Sequence, residues 1–179
     1  MGLDRESFEN LPEVTAQWPG SCFACSADHP HGLHLRFRRT SDGVASLCSV
    51  TEQFCGFDGM AHGGIITTLL DEASAWALMA RHGKLGVTRE MTVRFLKPVR
   101  TGQDLVVQAR ITFFDNKAAL VEGTVQDLDG EVLAESSCSW AFPRLSRIAG
   151  LAGVEEARLQ SFLDDCRPDG GGNSMMLSE

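Results

Sequence analysis

The sequence of 179 residues contains no apolar run long enough to cross a bilayer as a helix. Its opening stretch, Met1 to Gln17, is acidic and polar and lacks the charged-then-apolar order of a secretory leader. These two absences predict a cytoplasmic protein with no membrane partner. Basic charge is also short, with 16 Lys and Arg against 24 Asp and Glu and a net charge of −8. That balance argues against a nucleic-acid partner, which would need a basic face. No internal repeat and no second domain interrupts the chain. A second metal-ligand pair is missing too. Cys22 and Cys25, with His29 and His31 close behind, are not followed by another CxxC or an HxxxH. The expectation is a structured loop without metal. All six cysteines (22, 25, 48, 55, 138 and 166) are then expected as thiols.

What remains is an ordinary globular composition, 43% hydrophobic and 22% charged, at a length suited to one core. Residues 61–82 carry the strongest pattern. Ile66, Leu69, Leu70, Ala73, Trp76, Ala77 and Ala80 recur at i, i+3, i+4 spacing and predict a long helix with a wide apolar face. The second face holds Thr67, Thr68, Asp71, Glu72 and Ala75, small enough for a close neighbour. His62, Gly63 and Gly64 open this helix. Its first-turn N–H groups favour negative charge and suit a carbonyl oxygen that becomes an oxyanion. Asp71 and Glu72 are the candidate acids. They lie about 100° apart around the helix, so both cannot face one pocket.

Around the helix the period falls to two. Leu33, Leu35 and Phe37 alternate with His34, Arg36 and Arg38, and Val44 to Val50 forms a second strand. After a C-cap at Gly83, alternation returns at 88–95, 105–113, 119–125 and 132–142, with turns at Asp115-Asn116-Lys117 and Leu128-Asp129-Gly130. Short turns imply antiparallel neighbours. The predicted fold is α+β, an antiparallel sheet of about six strands wrapped around one long central helix. Residues 1–20 read as an N-terminal segment, 21–143 as the main domain, 144–166 as a C-terminal helical extension, and 167–179 as a flexible tail.

With those residues in view, the chain resembles the hotdog-fold acyl-CoA thioesterases of the PaaI-like, 4HBT type. His62-Gly63-Gly64 followed by Leu69-Leu70-Asp71 is similar to the HGG…LxD helix of that family. Gly86 through Val99, closing on Lys97-Pro98, is similar to its next strand, and Cys22-Phe23-Ala24-Cys25 through His31-Gly32-Leu33 to the opening of many members. The resemblance covers roughly residues 20–143. It implies hydrolysis of an acyl-CoA thioester at a dimer interface, without a cofactor, by a homodimer or a dimer of dimers. Asp71 matches the carboxylate that acts as base or nucleophile. His62 and the Gly63 N–H match the groups that hold the carbonyl, from the other subunit. Thr88 falls where relatives place a water-orienting Ser or Thr. Gly64, Asn116 and Lys117 are carried as substrate-binding candidates, and Arg94, Lys97 and Arg100 as further cations near the mouth. Gly56 stands where some members have Asn or Gln. The alternatives are a non-catalytic acyl-CoA binding module and a hotdog hydratase or dehydratase.

Overall fold

The computed structural model of the protein describes residues 5–168. A short helix α1 (Arg5–Glu9) precedes β1 (Arg38–Arg39) and β2 (Gly43–Ser49). A single 3-10 turn, Glu52–Phe54, leads into a hairpin of β3 (Cys55–Phe57) and β4 (Met60–Ala61). The long helix α2 (Gly63–His82) follows, then β5 (Val87–Phe95), β6 (Asp104–Phe114), β7 (Ala118–Asp127) and β8 (Val132–Ala141). Two helices, α3 (Leu145–Ala152) and α4 (Glu156–Asp165), end the described chain.

β1, β2, β6, β7, β8 and β5 form one six-stranded sheet in that order, antiparallel throughout. It curls around α2, which lies mainly against β6, β2 and β7. This is the expected hotdog architecture. The inner row is set by strand alternation: Val107 faces Val125, Ala109 faces Gly123, and Val121 faces Cys138. Gly123 is where helix and sheet come closest. A Cβ there would lie 3.0 Å from Leu70 Cδ2 and 2.7 Å from Ser136 Oγ. Leu69, Leu70 and Leu78 are at most 1% exposed. Each contributes roughly 1.5–3 kcal/mol by burial.

The helix ends follow from local chemistry. His62 is the N-cap, and Gly83 adopts φ 58° at the C-cap, where its N–H bonds Leu78 and Met79 carbonyls. Arg81 and His82 supply the basic last turn. His82 also stacks on Phe114 with ring centroids 3.7 Å apart.

Three details depart from the sequence reading. Residues 33–37 alternate as predicted, with Leu35 and Phe37 each 2% exposed. Yet only Arg38 and Arg39 join the sheet, because the rest of that segment pairs elsewhere. Leu33 and Leu35 donate to the carbonyls of Phe23 and Ala24, and Phe37 accepts from Val14 N–H. The segment is thus clamped between the N-terminal segment at Val14 and the CxxC loop. Phe113, which by alternation continues the row of Leu105, Val107, Ala109 and Ile111, is 48% exposed. A register shift between Ile111 and Phe113 turns it outward opposite Leu120. The C-terminal extension, whose apolar pattern reads from the sequence as one short helix over 153–165, holds two helices, α3 and α4. Leu145, Ile148 and Ala149 pack with Leu159, and Phe162 sits edge-on to Trp18 and Trp76. Most of the predicted tail, residues 169–179, lies outside the described residues.

Candidate active site

The start of α2 is built from its N-cap outward. The His62 Nδ1 accepts the Gly64 N–H at 2.9 Å. That bond fixes the neutral imidazole with its proton on Nε2. Ile65 and Ile66 donate to the His62 carbonyl at 2.9 and 3.2 Å. Among the described residues, only the Gly63 N–H of this first turn has no acceptor. The Gly64 amide is spent on the cap, so Gly64 shapes the turn instead of presenting a donor. Gly56 lies directly behind: a Cβ there would meet His62 Cα and Cδ2 at 3.2 Å. A glycine at 56 therefore lets the hairpin pass behind the imidazole.

His62 and Gly63 border an open cleft of about 530 Å³. Its walls are mostly apolar and include Phe57, Met60, Ile66 and Phe95, with Lys97 among the few polar residues. Phe57 is 77% exposed and Phe95 55%. Two large apolar side chains this open are unusual beside a polar turn.

Asp71 lies elsewhere. It is half-buried, and Thr88 Oγ1 donates to its Oδ1 at 2.7 Å. The structure thus joins α2 to β5 through the acid and hydroxyl singled out from the sequence. The Thr88 proton is used on the carboxylate; its oxygen remains able to accept. Nine residues separate His62 from Asp71, about 13 Å along the helix axis. One carbonyl cannot reach both in a single chain, and Asp71 is absent from the His62 cleft.

The remaining candidates spread out. Asn116 lines a separate groove of about 320 Å³ beside Gly83, at the far end of α2, together with Lys84, Arg144 and Arg167. Lys117 is next to it in the β6–β7 turn, where Asp115 caps the Lys117 and Ala118 amides at 2.7 and 2.8 Å. Arg94 pairs with Glu135 at 2.7 Å on the outer sheet face, away from the His62 cleft. Lys97 pairs with Glu131 at the cleft rim.

Glu72, the second acid, is held on another face. Trp76 Nε1 donates to its Oε1 at 3.0 Å, and Cys22 Sγ lies 3.8 Å from both carboxylate oxygens. Burial pushes its carboxyl up to about 7. The Cys22 thiol is held down to about 6, first by the hydrogen bond from Cys25 and then by the backbone N–H groups of Cys25 and Ala24. The Cys25 thiol is pushed up by that same bond and by burial. Sequence reasoning found the CxxC and Glu72 separately. No local spacing links residue 22 to residue 72.

The fold and this geometry meet the comparisons with known proteins. The thioesterase superfamily profile matches residues 58–134, from the β3–β4 turn into β8. The mouse acyl-coenzyme A thioesterase 13 is 36% identical over 63 residues, 35% of this chain and 45% of the relative. The match therefore spans just under half of that relative's length. The E. coli PaaI protein from the phenylacetic acid degradation operon superposes with a TM-score of 0.58 at 20% identity, covering 62% of this chain and 80% of that one. A Streptococcus mutans protein solved with acetyl CoA gives a TM-score of 0.56 at 23% identity, covering 61% and 88%. Residues 58–134 thus match the thioesterase superfamily profile, and the chain shares the hotdog fold of these solved structures.

Proposed function

We propose that the protein hydrolyses an acyl-CoA thioester to the free acid and CoA, at a site shared between two copies of the chain. The observation that carries this reading is the His62-Gly63-Gly64 turn. It leaves one amide and one imidazole N–H for an oxygen at the edge of an apolar cleft. These two donors would take the thioester carbonyl oxygen and the charge that develops on it. The apolar cleft would take the acyl group. Asp71 of the second copy would accept a proton from water as it attacks the carbonyl carbon, and the C–S bond would break to release CoA. The Thr88 oxygen beside Asp71 offers a second acceptor for that water, which favours a base over a nucleophile. This reaction needs no cofactor. The cations beside Asn116 and Lys117 are our candidates for the CoA phosphates.

The need for a second copy rests on distance and on an open edge. Asp71 and His62 are about two and a half turns apart on one helix. β5 is the sheet's terminal strand, nine residues long, with most of its residues exposed. A long uncovered edge invites pairing with another strand, and β5 holds Thr88 at one end and Phe95 at the other. We propose a homodimer at least, formed along this edge and acting in the cytoplasm. No described helix is long and apolar enough to cross a membrane.

Purified protein is expected to release free CoA from acyl-CoA continuously, read with a thiol reagent over a panel of short, medium, long and aromatic acyl groups. Saturable binding without release would instead make the chain a binding module.

A further inference from the structure

Glu72 poses a physical problem that hydrolysis at Asp71 does not solve. A half-buried carboxylate is costly without a cation or several donors. Among the described residues no Lys or Arg pairs with it. Its neighbours are the Trp76 indole and two thiols.

We propose that Cys22, Cys25 and Glu72 bind one zinc-class divalent cation, which clips the CxxC loop to the central helix. Their ligand atoms all lie within 4.8 Å of one another. Two ligands on a tetrahedral zinc, at its usual Zn–S and Zn–O distances, are roughly 3.5–3.8 Å apart. The Cys22 Sγ stands 3.8 Å from each oxygen of Glu72. Two thiolates and a carboxylate suit a borderline-soft ion better than calcium or magnesium. Three protein ligands leave the fourth position for water.

The surroundings fit a ligand set. The Ser26 N–H bonds the Cys22 carbonyl at 3.0 Å, which curls the CxxC into one tight turn. The Phe23 and Ala24 carbonyls are tied to residues 33 and 35, so the turn is anchored at its back. Trp76 orients the carboxylate from the next turn of α2, as outer-shell donors do for metal ligands. Arg36 Nη1, 3.5 Å from the Cys25 carbonyl, offsets part of the negative charge. The sequence reading dismissed a metal because no second ligand pair follows in the chain. The fold supplies the third ligand from position 72.

A disulfide between Cys22 and Cys25 is the competing use of the same turn. It would give Glu72 no role, which is why the metal is preferred. The experiment is a Co²⁺ titration of reduced, chelator-treated full-length protein, followed by zinc competition. The expected result is one equivalent per chain, with sulfur-to-cobalt charge transfer and the visible bands of a tetrahedral ion. Glu72→Gln keeps the Trp76 contact and the helix, and should weaken binding at least ~10-fold. Trp76→Phe should weaken it by about ten-fold while leaving the same spectrum. Zinc should raise the melting temperature of the wild type and not of Cys22→Ser. No uptake by the reduced protein would overturn the proposal. So would binding that Glu72→Gln leaves unchanged, or an air-formed Cys22–Cys25 disulfide in a protein whose reduced form ignores both metals.

Discussion

Asp71→Asn is expected to lower kcat for acyl-CoA hydrolysis at least ~10²-fold, with KM little changed. The amide keeps the size of the side chain and can still accept from Thr88 Oγ1, now 2.7 Å from Oδ1. It cannot take a proton from water at neutral pH. The loss should therefore appear in turnover and not in folding or assembly. Thr88→Ala should fall between wild type and Asp71→Asn, since it frees the carboxylate without removing it. Glu72→Gln should affect kcat far less, because Glu72 faces the CxxC loop, about 100° around the helix. Steady-state kinetics on the three variants, with oligomeric state checked for each, gives the ranking. A dead Glu72→Gln beside an active Asp71→Asn would mean the wrong carboxylate carries the chemistry.

The second large effect concerns the contact that holds helix and sheet together. Leu70→Ala should cost about 2–5 kcal/mol, as a fully buried leucine leaves a cavity. Gly123→Val should cost about 1–3 kcal/mol or more, because its branched side chain would enter the space of Leu70 Cδ2 and Ser136 Oγ. Together the changes nearly conserve volume: one adds three carbons where the other removes three. The double variant should therefore be more stable than the sum of the singles by about 0.5–3 kcal/mol. Urea unfolding of the four proteins at one concentration measures the coupling. Strict additivity would mean that α2 does not rest on β7 at this point.

The long helix was legible because seven apolar residues repeat at helical spacing and both caps lie in the sequence, His62 before it and Gly83 after it. The sheet was legible because turns such as Leu128-Asp129-Gly130 separate runs of period two. Pairing was harder to read. Residues 33–37 have the alternation of a strand, but hydrogen-bond partners are chosen in three dimensions, and this segment found Val14 and the CxxC loop. Phe113 failed for a related reason: one extra residue before it reverses every later side chain on its strand. At the site, Asp71 and Thr88 were visible as types, and the fold brought them to 2.7 Å. The use of the Gly64 amide by His62 was not visible, since an imidazole at an N-cap can face either way. The cluster of Cys22, Cys25 and Glu72 was also hidden, as fifty residues separate its two halves.

The central claim is a thioesterase site made by two copies of the chain, and subunit complementation tests it most directly. Asp71→Asn and His62→Asn are each expected to be inactive alone. Asn keeps an N-cap acceptor for the Gly64 amide, so the second variant should fold normally. Mixed one to one and allowed to exchange subunits, half of the dimers carry one variant of each kind. In such a dimer one site has both substitutions and the other has neither. Hydrolysis of a good acyl-CoA should then return to roughly a quarter of the wild-type rate, as two-fold symmetry requires. A mixture that exchanges subunits and stays inactive would contradict the shared site.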